Sequence, residues 1–213
     1  MDNEGYRKRI IEKAIELFNT EGCKAVTMDQ LSASLHISKR TLYETFTNKE
    51  ELILSCLTEV HRRIGEHRKE IYQRVDDPLL LTIYILKSTM TMNEQYAKLI
   101  MDAERYYPKL NEKILQIQSD KFQSALRGIF EQAAERGDLY DTVDIELAIS
   151  MLTLSVRRLF EQTNSNKPDV KRAIINSIYI YLRGMLSVKA IGRYDSREEE
   201  FRQLLSADGV KMN

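Results

Sequence analysis

Cysteine, proline and glycine are scarce in this chain, and tryptophan is absent. Of 213 residues, two are cysteine, three proline and eight glycine. Cys23 and Cys56 stand far apart with no metal-ligand spacing around them, which excludes a disulfide scaffold or a zinc module. Two reduced thiols in a cytoplasmic protein are the expectation. Few prolines and glycines leave long uninterrupted stretches, so the chain is expected to be largely helical. Net charge is absent as well. Lysine plus arginine number 32 and aspartate plus glutamate 32. Residues 1–51 hold eight basic against nine acidic residues, which excludes a nonspecific cationic coat for nucleic acid. The longest apolar run, Leu79 to Leu86, is interrupted by Thr82 and is too short for a bilayer, so no membrane partner is expected. The N-terminus is charged from Asp2 onward and lacks an apolar core segment, so no secretory signal is expected. The sequence has no G-x-S-x-G, no H-E-x-x-H, no P-loop and no glycine-rich dinucleotide turn. Its three histidines are His36, His61 and His67, and the last two are poorly spaced for one metal. No enzyme activity, cofactor or metal is expected.

What the chain does have is one stretch dense in helix punctuation, Thr27 to Glu51. Thr27 suits an N-cap, where its hydroxyl accepts from a free backbone N–H. Met28, Leu31 and Leu35 then fall on one face of a short helix. His36-Ile37 breaks the pattern. Ser38 offers a second N-cap, and Lys39 to Phe46 reads as a second short helix with Leu42 and Phe46 inward. Asn48 and Glu51 have capping-box spacing ahead of a third helix. Two short helices joined by a tight turn are a helix-turn-helix. The outer face of the second carries Lys39, Arg40, Thr41, Tyr43, Glu44 and Thr45. Cations that match guanine edges and hydroxyls that reach phosphates are what a recognition helix needs. Ordinary solvated helix residues would look the same at this spacing.

The rest of the chain reads as a series of helices. The first spans about residues 4–21, with Ile10, Ile11, Ala14, Leu17 and Phe18 as its apolar stripe and Gly22 at its C-terminal end. A long helix runs from residue 49 to about 72. Others cover about 79–93, 94–106 and 109–136, with Gly128 read as a point of close helix contact and Gly137 as a stop. Asp144 caps a helix to about residue 162. A last long helix runs from Pro168 to about Ala190. These two are apolar on more than one face, from Ile145 through Phe160 and from Val170 through Val188. Such helices are buried on several sides, either in a monomeric bundle or against a second copy. A short helix with Phe201, Leu204 and Leu205 closes the chain.

The motif residues Gly22, Ala25-Val26-Thr27, Ile37-Ser38-Lys39, Thr41-Leu42-Tyr43, Phe46 and Asn48-Lys49-Glu50-Glu51-Leu52 resemble the TetR family of bacterial transcriptional regulators. The sequence departs from the family pattern at Arg40, Glu44 and Thr45, all on the outer face of the second helix. The resemblance implies an all-α fold. Residues 1–50 would form a three-helix DNA-binding domain and 51–213 a helical ligand-binding and dimerisation domain. It implies a homodimer that binds double-stranded DNA at a palindrome, most simply as a repressor released by a small-molecule effector. Thr27, Tyr43 and Lys49 would anchor phosphates, with the Arg7-Lys8-Arg9 group near the DNA backbone. Lys39, Arg40, Thr41, Glu44 and Thr45 would approach base edges. His61, Tyr84, Met90, Tyr96, Met101, Tyr106, Phe122, Phe130 and Met151 are the aromatic, methionine and histidine candidates for lining an effector pocket. The competing reading is a helical interaction protein whose helix-turn-helix no longer reads DNA.

Overall fold

The computed structural model describes residues 3–162 and 168–197. Ten helices lie among them: α1 (Asn3–Thr20), α2 (Met28–Leu35), α3 (Lys39–Thr45), α4 (Lys49–Arg74), α5 (Pro78–Gln95), α6 (Ala97–Tyr106), α7 (Pro108–Glu135), α8 (Ile145–Gln162), α9 (Pro168–Gly184) and α10 (Val188–Asp195). No strand is present among the described residues beyond an isolated bridge between Leu139 and Leu186. No described helix is long and apolar enough to cross a membrane. The fold is all-α, as the scarcity of glycine and proline implies.

Packing divides the chain into two compact units. The first comprises residues 1–66 and 92–119, and the second residues 67–91 and 120–213. The expected division at residue 50 differs from this. α4 has no break, and its first half supplies Leu52, Ile53, Leu57 and Val60 to the core that α1, α2 and α3 share. Arg63 in this stretch sits between Glu12 and Glu59, and Arg62 bonds to Glu59 as well. Those two guanidinium groups, Arg62 foremost, hold the Glu59 carboxyl down to about 2.

The first unit also includes α6, which the sequence did not assign to the DNA-binding part. α6 is attached to the C-terminal end of α1, where helix carbonyls and the following turn need partners. Lys98 donates to the Thr20 carbonyl at 2.9 Å, and the Cys23 N–H donates to Asp102 Oδ2 at 2.7 Å. Asn19 donates to the Gln95 carbonyl at 2.7 Å. Gly22 makes this turn in the left-handed region, φ +101, as its position after the helix suggests. A Cβ there would lie 2.6 Å from Asp102 Oδ2.

The second unit has its own core, in which Leu126, Phe130, Leu152, Leu182 and Leu186 are buried. Asp144 caps α8 by accepting from the Leu147 N–H at 3.0 Å. Gly137 stops α7 with φ +70. Two expectations are corrected here. The helix expected from Pro168 to Ala190 ends at Gly184 and restarts at Val188. The intervening backbone pairs instead with residues 138–140: the Tyr140 N–H donates to the Met185 carbonyl at 3.0 Å and the Ser187 N–H to the Asp138 carbonyl at 2.9 Å. Ser187 then caps α10 by accepting from the Ala190 N–H. A serine that can serve as N-cap favours a restart over propagation. Gly128 has no heavy atom within 4 Å of the place a Cβ would take, so it makes no close helix contact. The expected terminal helix with Phe201, Leu204 and Leu205 lies outside the described residues, as do the side chains of residues 156–160, Val170 and Ile175.

Gly22→Ala is expected to destabilise the protein by about 1–3 kcal/mol, through the left-handed backbone and the crowded Asp102 carboxylate. Urea unfolding of the two proteins measures this, and equal midpoints would contradict the turn geometry.

Candidate nucleic-acid interface

α2 and α3 are built as the punctuation implies. Thr27 Oγ1 accepts from the Gln30 N–H at 3.1 Å, and Ser38 Oγ accepts from the Thr41 N–H at 3.0 Å. His36, at φ 54 and ψ 41, closes α2 in the left-handed conformation, and its N–H bonds back to the helix end. At the start of α4 the Glu51 N–H donates to Asn48 Oδ1 at 2.9 Å, as a capping box requires. The return bond is displaced by one residue: Glu51 Oε2 accepts from the Thr47 N–H at 2.8 Å, not from Asn48. That bond is the main reason the Glu51 carboxyl sits below the ordinary glutamate range.

α3 has only seven residues. It is held from within by Leu42 and Phe46, both fully buried. Its outer side is exposed at Lys39, Arg40, Tyr43 and Glu44. Thr41 and Thr45 are half-buried and already engaged. The Thr41 hydroxyl lies 2.8 Å from Ser38 Oγ, and Thr45 Oγ1 donates to the Thr41 carbonyl at 2.9 Å.

The two cations of α3 each have a carboxylate. Lys39 Nζ lies 2.6 Å from Asp29 Oδ2 on α2, and Arg40 Nε lies 2.7 Å from Glu44 Oε1 one turn along α3. Both pairs are solvated, so they add little to stability and each carboxylate can be exchanged for another anion. The Arg40 side chain is 88% exposed, the freest of the four. Lys49, at the first turn of α4, is half-buried and donates to the Lys24 carbonyl at 3.4 Å. Burial lowers its pKa below the ordinary lysine value.

The Arg7-Lys8-Arg9 group does not form a single surface patch. Arg7 donates through Nη1 to the Thr45 carbonyl and through Nη2 to Ser55 Oγ, both at 3.0 Å. Its guanidinium stacks 4.3 Å from the Phe46 ring centroid. Arg9 donates to the Leu35 carbonyl at 3.4 Å. Two of the three basic residues therefore fasten α1 to the ends of α3 and α2, and Lys8 remains exposed. The sequence showed a basic cluster and could not show its direction. The i, i+2 spacing of Arg7 and Arg9 does say that the two leave the helix on different sides.

The candidate effector residues are divided between the two units. Tyr96 is buried in the first unit, where its hydroxyl accepts from Arg63 at 3.3 Å. His61 in that unit is half-buried. Met101 and Tyr106, also in that unit, are exposed, and Lys24 lies over the Tyr106 ring. In the second unit Met90 and Phe130 are buried in the core, Tyr84 and Phe122 are half-buried, and Met151 is exposed. Both cysteines are fully buried in the first unit. Burial pushes the Cys23 thiol up to about 12 and the Cys56 thiol well above its ordinary value, so neither is an activated nucleophile.

The pattern for bacterial regulatory proteins of the tetR family matches residues 10–56, a span that runs from α1 into α4. Over 178 residues the chain is 23% identical to the uncharacterized HTH-type transcriptional regulator YdeS of Bacillus subtilis, covering 82% of this chain and 89% of that one. It is 28% identical over 112 residues to the biofilm operon icaADBC HTH-type negative transcriptional regulator IcaR of Staphylococcus epidermidis, covering 51% of this chain and 58% of that one. The crystal structure of RolR in complex with the ligand resorcinol has the same fold, with a TM-score of 0.62, 18% identity and coverage of 99% and 98%.

Arg7→Met is expected to lower the unfolding free energy by about 1–2 kcal/mol, because it removes two hydrogen bonds and the ring contact that hold α3. Urea denaturation checks this, and an unchanged midpoint would mean that the Arg7 contacts are not formed in solution. Residues 10–56, which hold the capped helix-turn-helix, match the pattern of bacterial regulatory proteins of the tetR family, and the helical fold behind them is the one seen in solved tetR-family structures.

Proposed function

We propose that this cytoplasmic protein is a homodimeric repressor that reads a palindromic operator through α3 and leaves it when a small molecule binds the second unit. The observation that carries the DNA-reading part is α3 itself, a capped helix whose exposed side presents Lys39, Arg40, Tyr43 and Glu44. In this reading Tyr43, Thr27 and Lys49 fix the register on phosphates. Lys39, Arg40 and Glu44 approach base edges, and Arg40 has the greatest freedom to do so. Thr41 and Thr45 belong to the same face, but their hydroxyls would have to give up bonds within α3 first. Lys49 would likewise have to release the Lys24 carbonyl.

Dimerisation is supported by α8 and α9. Leu147, Met151 and Leu154 follow one another at i, i+4 and i+7 on α8 and are 58%, 50% and 65% exposed. Ile180 on α9 is 60% exposed. An apolar row of this kind on a single chain calls for a covering surface, and a second copy supplies one. Two recognition helices about one DNA turn apart then match a two-fold site. The effector-responsive part is supported by the fold shared with RolR, which binds resorcinol, and the repressor part by the likeness to a negative regulator.

Tyr43→Ala is expected to weaken binding to all duplexes by a similar factor, since a phosphate contact carries no sequence information. Arg40→Ala is expected to relax preference at particular base pairs by about 1–3 kcal/mol. Binding to a set of single-base operator variants separates the two. Unchanged preference in Arg40→Ala would remove Arg40 from base reading.

Glu44→Gln frees Arg40 from its partner and removes a negative charge from the DNA-facing surface. Affinity for nonspecific DNA should rise, with a steeper fall as salt increases. If the salt slope stays the same, the Arg40–Glu44 pair does not limit DNA binding.

A further inference from the structure

The second unit contains a half-buried cation that has no counter-charge among the described residues. Arg68 lies on α4 at i+4 from Ile64, in line with Val60 and Ile64 on the apolar stripe. Its guanidinium is half-buried and stands 4.8 Å from the centroid of the Phe122 ring on α7. Its Nε donates to Thr89 Oγ1 on α5 at 3.1 Å. Thr89 in turn donates to the Ile85 carbonyl at 2.7 Å, which fixes the hydroxyl that receives Arg68. Nη1 and Nη2 have no acceptor among the described residues, and Arg68 forms no ion pair there. Next to Thr89, the buried hydroxyl of Ser88 also lacks a hydrogen-bond partner.

Other arginines among the described residues that reach into their unit are met by carboxylates. Arg63 has Glu12 and Glu59, and Arg193 has Asp138. Withdrawal from water lowers the Arg68 pKa to about 10, so it stays charged at neutral pH, with desolvation and no compensating carboxylate. A charge removed from water is tolerated when a partner is supplied, and a planar fork with its outer edge free matches a carboxylate in two-point contact. The aromatic ring on one side and the Thr89 bond at Nε leave that edge as the open one.

We propose that Arg68 recognises the acid group of the effector, and that the effector is a small organic carboxylate. The proposal rests on the effector-responsive reading given above and adds the chemical class of the effector and the residue that selects it. Thr89 is a positioning residue that holds the guanidinium, and Phe122 covers its face.

The test uses the full chain and four probe pairs: benzoate, phenylacetate, octanoate and decanoate, each beside its primary amide. Thermal unfolding is followed with each probe, and DNA binding is followed on a duplex that the protein selects. At least one carboxylate should raise the melting temperature by a few degrees and release the duplex, while its amide does neither. Arg68→Met should reduce that response about tenfold or more in probe concentration, and Arg68→Lys should retain part of it. Without a probe, Arg68→Met should melt at the same temperature as the parent or higher, because it removes an uncompensated charge.

Three results would overturn the inference: amides as effective as their acids, no carboxylate response from any pair, or an unaltered response in Arg68→Met. A large drop in the melting temperature of probe-free Arg68→Met would also overturn it, since a carboxylate of the protein would then already be the partner. Release of the duplex by neutral amides alone would leave the regulator reading intact and sink the anionic effector. Failure to bind any duplex selectively would sink the regulator reading itself.

Discussion

The seven residues of α3 cannot hold a helix by themselves. Isolated helices shorter than about 12–15 residues are marginal in water, because nucleation costs more than so few hydrogen bonds return. α3 exists because Leu42 and Phe46 are sealed into the core formed by α1, α2 and α4, and because Ser38 satisfies its first turn. Arg7 then binds the Thr45 carbonyl at its far end while lying on the Phe46 ring. The side of α3 that faces solvent is free to carry functional residues only because its other side is this firmly anchored. The DNA-reading part of the functional reading depends on that division of labour within a two-turn helix.

The second constraint is electrical. The chain has no net charge, and its DNA-facing helix is close to neutral in the free protein. Lys39 is balanced by Asp29 and Arg40 by Glu44. Such a surface avoids indiscriminate attraction to phosphate, because each cation must exchange a carboxylate for DNA. The exchange is cheap for solvated pairs, so specificity comes from how well the replacement contacts fit and not from the bulk field. The effector side inverts this logic. Arg68 is partly withdrawn from water and lacks a counter-charge among the described residues, which makes it costly to leave alone and selective for what neutralises it.

Local features were legible in the sequence because local chemistry decides them. Residue type and spacing mark Thr27, Ser38, Asn48 and Asp144 as caps, and each accepts a backbone N–H of the helix it opens. The i, i+4 spacing of Leu42 and Phe46 marks them as inward, and both are fully buried. Features set by tertiary contacts were not legible. Nothing around Arg7 indicates that it folds back onto Thr45, nor that α6 joins the DNA-binding unit through Asp102 and Lys98. The break before Ser187 depends on backbone pairing with residues about 50 positions earlier, and sequence periodicity does not see that. Residue type alone ranks Met101 and Met151 beside Phe122 as effector candidates. Burial separates them, and the residue with the clearest unmet need, Arg68, is neither aromatic, methionine nor histidine. An arginine in line with Val60 and Ile64 on an apolar stripe was the available signal.

In the proposed function, two copies of this chain read a two-fold symmetric DNA site through α3. Selection of bound sequences from a random duplex pool by the purified protein tests it most directly. The account predicts enrichment of a palindrome whose half-sites are centred about one helical turn apart. Recovery of no enriched sequence, or of a single unpaired half-site, would contradict it.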